Sequence, residues 1–598
     1  MQHPDELAIY LPDGEVTPPA DAYGRLIANA GVYRALARYG GYRLLHFQCR
    51  RPVAAGQLAC EVLPQEAGGR GGGTSGPAAA KGLPAVTVGS PLSTAAPARA
   101  GLLLSGQPYL SQPAWVRRHA GQDAAYSIAG TVFAFSSAPH RELMLHSLLA
   151  PLHEWDALIC SSPTLRDTVA RTLDSWEDHL RERLELAGPD PAAGPGPAAR
   201  TGAAAARRLR LPRPQLPVIP FGVDVDLVAS HAADGAARRA LREAHGIADA
   251  DVVVYFLGRL SYYDKAFPQA MLKAVHAAQA AAGVTTHLVM TGWFPGGQED
   301  RARFEQAARR YAHGVNVVLL DGNDRATVAA CWAAADIFLL LSDTIIETFG
   351  QALTEAMAAG LPLVVSDWDG YRSIVRDGVD GFLVPTLGAP AGALGETLAL
   401  LEYLGVADYP RYAGTTAQHT AVHVGRAAEA LAGLIASPGL RAAMGAAGKR
   451  RARALFAWPA VAEEYQRLFA ELAERRGRAG DGASGRHRMP PLRNDPFADF
   501  RGLPAAVLTD ETLVRLSGAG GGDLGPDPAV ELDRLFPALR ATSDETAQLL
   551  DALGAAGTLS VAELVRAFPP GRRPFVRMSL AWLAKAGVVD WLPQERPE

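Results

Sequence analysis

The chain has 598 residues, of which 48% are hydrophobic and 20% charged, and its net charge at pH 7 is −4. This composition excludes a wholly disordered chain, and it provides no overall basic field of the kind that nucleic-acid-binding domains carry. The four cysteines contain no Cys-x-x-Cys pair, which argues against a zinc ribbon or a disulfide scaffold. No apolar run reaches about 18 residues and the N-terminus lacks a signal-peptide pattern, so the sequence favours a cytoplasmic α/β protein.

The first half of the chain alternates strand-like and helix-like segments. The hydrophobic pattern predicts strands at 7–11, 43–49, 101–105, 127–135 and 157–161, with helices at 22–39 and 162–173. Two stretches rich in glycine, alanine and proline, at about 66–83 and 188–208, are predicted to be flexible loops.

A second alternating series follows, with longer helices. It predicts strands at 252–257, 286–291, 315–320, 337–341 and 363–366, and helices at 268–282, 300–313, 326–335 and 350–359. Strands that are apolar throughout are typical of a parallel sheet covered on both faces. The fold class predicted from the two series is therefore α/β, with two doubly wound Rossmann-like domains facing across a cleft.

Residues 339–360, LLLSDTIIETFGQALTEAMAAG, combine a buried strand, a short loop and a helix that ends at Gly360. Glu347 in the loop and Glu355 in the second helical turn can both face a crevice beyond the strand ends, where open α/β sheets bind ligands. The free amides at the helix start favour a phosphate group. The alternative is that Glu347 only complements the helix dipole and Glu355 is a solvated helix residue.

A second polar segment, GRLSYYDK at residues 258–265, directly follows a predicted strand of the same domain. Its cations Arg259 and Lys265 would lie at the same sheet edge, where they could bind a pyrophosphate and neutralise the charge of a leaving nucleoside diphosphate. A solvated basic loop is the alternative for this segment taken alone.

Together, and in this order, GRLSYYDK, the strand ending in Thr291–Gly292, VVLLDGN and the Glu347 segment resemble the retaining, nucleotide-sugar-dependent glycosyltransferases of family 4, which have the GT-B fold. The E-x7-E signature of that family is matched by Glu347 and Glu355. The resemblance is strongest over 252–386 and extends more weakly from about residue 10 to about residue 472.

The resemblance implies a role for each matching residue. Catalytic roles fall to Arg259 and Lys265, which would hold the donor diphosphate, and to Glu347, which would contact donor sugar hydroxyls. Donor-binding roles fall to the ribose-binding Glu355, to the backbone amides of Thr348, Phe349 and Gly350, and to the close-approach glycines Gly258 and Gly24.

Two departures from the family pattern stand out. The spacing from Arg259 to Lys265 is one residue longer than the commonest pattern. Phe133 occupies the position at which family members often carry a histidine, so that either His140 substitutes from nearby or the sugar contact is lost.

The function implied is a retaining glycosyltransferase that moves a hexosyl unit from a nucleoside diphosphate sugar to an unidentified acceptor, with no metal or other cofactor. A metal at Asp224–Val225–Asp226 is a minor alternative. Two further alternatives are a glycan phosphorylase on the same fold, weakened because no lysine motif for pyridoxal phosphate stands out, and a catalytically weak protein that only binds nucleotide sugars.

The resemblance also suggests the domain boundaries. Residues 1–222 form an acceptor-side domain, 223–455 a nucleotide-sugar-binding domain, 456–474 a helix crossing back to the first domain, and 475–494 a linker. Residues 495–598, with helices at 547–553, 560–567 and 575–586 and a strand at 587–592, resemble a winged-helix domain.

Two surfaces suggest partners. The last helix of the winged-helix-like segment carries few cations, so a protein partner is favoured over nucleic acid. A basic stretch is read as a solvated face, with contact to a membrane surface as the alternative. Its cations are Arg441, Lys449, Arg450, Arg451 and Arg453.

Overall fold

The computed structural model of the chain describes residues 5–14, 16, 24–63, 83–133, 135–186, 212–262, 265–479, 487–491, 493, 495–518 and 539–592. The predicted loop at 188–208 lies outside these residues, as does the loop at 66–83 except for its last residue. The chain divides into two compact units, Met1–Pro490 and Pro491–Glu598, which are described separately.

The first domain is built on a six-stranded parallel sheet with the order β3-β2-β1-β4-β5-β6. Its strands β4, β5 and β6 are mostly apolar and buried along their whole length, as expected for a sheet covered by helices on each side. The strands are β1 (Glu6–Tyr10), β2 (Leu44–Gln48), β3 (Ala85–Gly89), β4 (Leu102–Ser105), β5 (Ser127–Val132) and β6 (Ala157–Cys160).

Among the described residues, six helices of the first domain pack on this sheet, and a buried ion pair joins one of them to the segments around its strands. Arg117 donates to both carboxylate oxygens of Asp156 at 2.8 and 2.7 Å, and Asp156 also accepts from the Ile128 amide at 2.7 Å. The helices are α1 (Gly24–Tyr39), α2 (Ala55–Val62), α3 (Ala95–Ala100), α4 (Ser111–His119), α5 (Ala138–Leu149) and α6 (Pro163–Leu186).

The second domain repeats the plan with a parallel sheet of order β12-β11-β10-β7-β8-β9. The two doubly wound sheets confirm the predicted fold class. The strands are β7 (Val252–Leu257), β8 (Thr286–Gly292), β9 (Asn316–Asp321), β10 (Ile337–Leu340), β11 (Leu363–Ser366) and β12 (Gly381–Val384), followed by a small antiparallel pair, β13 (Thr386–Gly388) and β14 (Thr420–Val422).

The helices of this domain pack on both faces of its sheet, except for an excursion between β13 and β14. They are α7 (Val225–Ala232), α8 (Gly235–Ala244), α9 (Pro268–Ala282), α10 (Gly297–Tyr311), α11 (Arg325–Ala334), α12 (Gln351–Ala359), α13 (Tyr371–Ile374), α14 (Ala393–Tyr403), α15 (Tyr409–Gln418), α16 (Val424–Ala436) and α17 (Pro438–Arg451). Helices α14 and α15 form the excursion.

The chain passes between the two domains twice, and the two passages lie side by side. The Val223 amide donates to the Phe456 carbonyl at 2.8 Å, beside a parallel bridge between Val223 and Ala457. A helical turn at Ala452–Phe456 then leads into α18 (Trp458–Ala479), which buries Tyr465 and Leu468 in the core of the first domain. This helix lies where the sequence predicts the crossing segment.

The second unit has a three-stranded antiparallel sheet of order β16-β15-β17 and its own hydrophobic core. Its winged-helix character stays a prediction. The strands are β15 (Leu513–Leu516), β16 (Thr558–Ser560) and β17 (Val589–Trp591), and the helices are α19 (Pro496–Asp499), α20 (Ser543–Ala556), α21 (Val561–Arg566) and α22 (Arg573–Lys585).

Within the described residues, no single helix is long and apolar enough to cross a membrane. In the part of the chain that the structure describes, only the pair Val424–Ala436 and Pro438–Phe456, which is bent by 105°, reaches that length and composition together.

Removing residues 491–598 should leave the first unit folded, because the described residues that form the core of the second unit all lie between 508 and 589. We expect a chain ending at Pro490 to keep cooperative thermal unfolding and α/β circular dichroism. The full-length chain is the control, and loss of the cooperative transition on truncation would contradict the boundary.

Candidate active site

The candidate site lies at the carboxyl ends of β7 and β10, the point at which strand order reverses in the second sheet. Ligands of doubly wound sheets bind in the crevice at such a point. Glycines bring the neighbouring strand ends close together here. A Cβ on Gly292 would lie 1.9 Å from the Gly258 carbonyl oxygen, so this position requires glycine, whereas one on Gly258 would lie 2.9 Å from Lys265 Cε and would displace that side chain.

An ion pair between Lys265 and Glu347 joins the loop after β7 to the loop after β10. Lys265 Nζ donates to Glu347 Oε2, and the two side chains are only 15% and 13% exposed. An ammonium group has three donors, so Lys265 retains donors for an anionic ligand while it is bound to Glu347.

The charges around Glu347 keep it ionised. Burial alone would raise the pKa of Glu347, but the charge and hydrogen bond of Lys265, with the charge of Arg259, hold that pKa below its ordinary value. The charge of Arg259 also acts on Tyr409, where it opposes the rise in the pKa of the phenol that burial causes. Arg259 therefore lies within electrostatic reach of both Glu347 and α15.

The end of β10 holds the Lys265 loop in place through two polar residues. Ser342 Oγ donates to the Lys265 carbonyl at 2.9 Å, and Asp343 Oδ2 accepts from the Phe267 amide at 3.3 Å. Burial raises the pKa of Asp343 to about 7. Its Oδ1 is buried without a hydrogen-bond partner among the described residues. No role for Ser342 and Asp343 is predicted from the sequence, although a polar pair directly after an apolar strand was the available signal.

Helix α12 starts at this crevice, directly after Thr348 and Phe349. Its N-cap, Gly350, has φ +100° and no side chain to cap the first turn, so the first amides of α12 have no side-chain acceptor from the N-cap residue. Glu355 follows in the second turn and is partly buried, and burial raises its pKa to about 7 against the opposing charge of Lys265. The structure thus brings Arg259, Lys265, Glu347 and Glu355 to one crevice.

Contacts from the first domain reach the edge of this crevice. Ser162 Oγ donates to Asp369 Oδ1 at 2.7 Å, and the hydroxyls of Ser136 and Tyr409 are hydrogen-bonded at 2.7 Å. Asp369 has φ +26°, and burial raises its pKa to about 7. None of these contacts is predicted from the sequence, because each joins residues more than 200 positions apart.

A row of four phenylalanines, here called the aromatic ladder, runs from the first domain to the Glu347 loop. Phe133 stacks on Phe221 with ring centroids 5.1 Å apart, and Phe221 meets Phe349 edge-on at 5.2 Å. Phe349 in turn lies 6.3 Å from Phe456. The ladder thus connects the end of β5, both passages between the domains and the residue before Gly350.

Phe133 is therefore a packing residue in this structure. His140, the sequence-based substitute for the usual histidine, is exposed on α5, where its Nδ1 is hydrogen-bonded to Ser137 Oγ and its ring lies 5.9 Å from Tyr109.

The remaining predicted positions lie away from this crevice or outside the described residues. Gly24 begins α1, but the residues just before it, 17–23, are not described. Asp224 Oδ1 accepts from the Leu227 amide at 3.0 Å and so caps α7, while Asp226 pairs with Arg453 at 2.6 Å. Both carboxylates thus have structural partners.

The residues of the crevice lie within a segment of the chain that matches a known protein family. Residues 237–402 match the family model described as "Glycosyl transferases group 1". Phosphatidyl-myo-inositol mannosyltransferase of Mycobacterium tuberculosis is 36% identical over 168 residues, which cover 28% of this chain and 39% of the relative. D-inositol 3-phosphate glycosyltransferase of Xylanimonas cellulosilytica is 27% identical over 261 residues, or 43% of this chain and 52% of the relative.

The chain thus spans about two fifths to half of the length of these curated relatives. Among solved structures, that of Anabaena Alr3699/HepE in complex with UDP aligns with 78% of this chain and 99% of its own, at 16% identity and a TM-score of 0.44. The structure of WaaG, a glycosyltransferase involved in lipopolysaccharide biosynthesis, aligns with 77% of this chain and 99% of its own, at 14% identity and a TM-score of 0.41.

Glu355→Gln should stabilise the protein at pH 8 and have a much smaller effect near pH 5, close to the unfolded-state pKa of 4.5. The pKa of Glu355 is raised from 4.5 to about 7, so the folded state binds more protons than the unfolded state between these values, and stability falls as pH rises through them. Glutamine mimics the protonated form. We expect a Tm difference of a few °C at pH 8 by differential scanning fluorimetry.

The control is Glu396→Gln, which changes an exposed glutamate on α14. A Glu355→Gln effect of equal size at both pH values would show that the ionisation of Glu355 is not its cause.

Proposed function

We propose that the chain is a retaining glycosyltransferase of the family-4 type, which transfers a hexosyl unit from a nucleoside diphosphate sugar to an acceptor hydroxyl. The match of residues 237–402 to the group 1 glycosyltransferases supports the reaction class, and the mannosyltransferase among the relatives supports a hexosyl donor. We assign no acceptor.

The observation that carries the proposal is the convergence of Arg259, Lys265 and the first turn of α12 on one crevice. A departing nucleoside diphosphate gains negative charge as the glycosidic bond breaks. Two cations and a set of backbone amides fixed in advance around it stabilise that charge without reorganisation. Proximity of the acceptor hydroxyl to the sugar would supply the remaining acceleration.

The two glutamates differ in environment, and this supports different roles. Glu347 is ionised and fixed by Lys265, so it can accept hydrogen bonds from sugar hydroxyls beside the breaking bond. Glu355 lies in the second turn of α12, eight residues after Glu347. It is suited to accept hydrogen bonds from the ribose, a part of the donor that the reaction leaves unchanged. In the same-face displacement that we propose, the acceptor hydroxyl attacks the anomeric carbon and transfers its proton to the leaving diphosphate.

We further propose that the reaction needs no metal ion. Lys265 and Arg259 supply the positive charge that a divalent cation supplies in other phosphate sites. The carboxylates of the Asp224–Val225–Asp226 pattern are engaged with α7 and Arg453.

The cellular setting is part of the same proposal. The four cysteines, Cys49, Cys60, Cys160 and Cys331, are all free thiols, which supports a reducing, cytoplasmic location. The second unit would serve a protein partner rather than nucleic acid.

Arg259→Ala and Lys265→Ala should each lower kcat/KM for donor turnover by about 10²-fold, because each removes one positive charge that would stabilise the leaving diphosphate. The assay measures release of UDP, GDP or ADP from a panel of nucleotide sugars, with water as the acceptor. Activity should persist in excess EDTA.

The matched control is Lys273→Ala, which removes a cation of α9 that lies over the ring of Tyr311. Unchanged turnover in both site variants, at wild-type circular dichroism, would refute the two-cation site. In a separate assay with an added glycan and no nucleotide sugar, release of a sugar 1-phosphate that requires inorganic phosphate would identify a glycan phosphorylase instead.

Phe133→Leu should weaken binding of the preferred nucleoside diphosphate sugar several-fold, up to about tenfold, because loss of one aromatic pair loosens the support of Phe349. Isothermal titration calorimetry measures the affinity. Phe47→Leu is the control, because Phe47 is a buried phenylalanine of the same domain whose ring partner is Tyr33.

Both phenylalanine variants should lower Tm, since both lose buried apolar area. Only Phe133→Leu should change affinity. If Phe133→Leu and Phe47→Leu bound the nucleoside diphosphate sugar with equal affinity, the aromatic ladder would stabilise the fold without affecting donor binding.

A further inference from the structure

Helix α14 (Ala393–Tyr403) is apolar, yet none of its residues is buried. Leu394 is 88% exposed, and Leu400 and Leu404 are exposed by more than half. Large exposed apolar surfaces of this kind mark sites that another surface covers. The exposed set of this region is Leu387, Leu394, Leu400, Leu401, Tyr403, Leu404 and Val406.

The apolar side chains surround most of the helix rather than forming one stripe. At 3.6 residues per turn they fall on three sides. The first side carries Leu394, Leu398 and Leu401, the second Leu400 and Leu404, and the third Tyr403. A helix that is apolar nearly all round is typical of a segment enclosed by its surroundings.

The side of α14 that contacts the first domain carries a charged residue, Glu402. Glu402 accepts a hydrogen bond from the Ala138 amide of the first domain at 3.1 Å. Between residues 386 and 407, Glu402 and Glu396 are the only charged residues. The exposed surface of α14 therefore has almost no charge with which to bind a polar or charged protein partner.

We propose that α14 and the turn that follows it, residues 393–406, insert into the surface of a lipid bilayer. A bilayer can contact the first and second apolar sides at once, while Tyr403 and the neighbouring exposed carboxylate of Glu396 stay at the headgroups. A second copy of the chain would cover one side and leave the others in water. Interfacial helices typically place apolar side chains about 5–10 Å deep at the boundary between headgroups and acyl chains, which an 11-residue helix on an otherwise exposed excursion can reach.

The structure favours this surface over the basic stretch of α17 that the sequence suggests. Arg441 donates to the carbonyls of Leu434 and Ile435 at 2.7 and 2.9 Å, and so caps α16. Arg451 donates to the Ser373 and Ile374 carbonyls, both at 2.8 Å.

Arg453 is likewise paired, with Asp226. Three of the five basic residues thus serve internal contacts, and membrane binding through α14 should depend on apolar area instead of anionic lipid.

The position of α14 gives membrane binding a consequence for the reaction, a point that rests on the proposed function. Glu402 and Tyr409 bind the excursion to residues 136–138 of the first domain. These residues follow Phe133 closely in the chain, just beyond the end of β5. Insertion of α14 would therefore bring the bilayer close to the crevice, where a membrane-borne acceptor could enter.

The test is flotation of the full-length protein with vesicles of phosphatidylcholine alone. We expect the wild type to float, and the partition coefficient of the double variant Leu400→Glu/Leu404→Glu to fall on the order of 10²-fold, because two leucine side chains no longer enter the bilayer. Flotation should be insensitive to about 1 M salt, where the Debye length is about 3 Å. Added phosphatidylglycerol should not increase it.

Leu92→Glu is the matched control, because Leu92 is a similarly exposed leucine of the first domain, and it should float like the wild type. Three results would overturn the proposal: no flotation of the wild type, equal flotation of the double variant, or binding that requires phosphatidylglycerol and disappears in high salt. A dimer in sedimentation equilibrium that the double variant dissociates, without flotation, would assign the surface to a second copy. None of these readouts depends on transferase activity.

Discussion

The candidate site depends on the ion pair between Lys265 and Glu347, which lie 82 positions apart in the chain. The pair fixes two strand-end loops against each other at the reversal point of the second sheet. A buried charge without its partner costs about 3–5 kcal/mol, so neither loop can leave the other at low cost. Ser342 and Gly258 serve the same arrangement, since one binds the Lys265 carbonyl and the other leaves room for the Lys265 side chain.

The buried carboxyl groups of the crevice lower the stability of the fold, and the apolar core of the surrounding sheets offsets this loss. Asp343, Glu355 and Asp369 all have a pKa raised to about 7 by burial, so each opposes folding more strongly as it becomes ionised. Around them lie two parallel sheets whose central strands are mostly apolar and buried. Buried ionisable groups at one site, surrounded by a core that buries apolar side chains, are typical of functional sites.

The sequence predicts the central strands and the meeting of Arg259, Lys265 and Glu347, because apolar runs and strand-end loops are local signals. It misses β3, a short edge strand whose residues are exposed or half-buried and which lacks a continuous apolar run. It also misses the aromatic ladder. Phe133, Phe221, Phe349 and Phe456 belong to four separate segments, and only the folded chain brings their rings together.

The ladder gives the departure at Phe133 a physical meaning. Phe221 and Phe456 lie in the two adjoining passages between the domains, and Phe349 precedes Gly350 at the start of α12. A change in the angle between the domains must therefore move the rings that support the Glu347 loop. A phenylalanine at the end of β5 has no polar hydrogen to offer a sugar, but it completes this row of rings. The first domain would then contribute to donor binding through the rigidity of the loop rather than through a contact of its own.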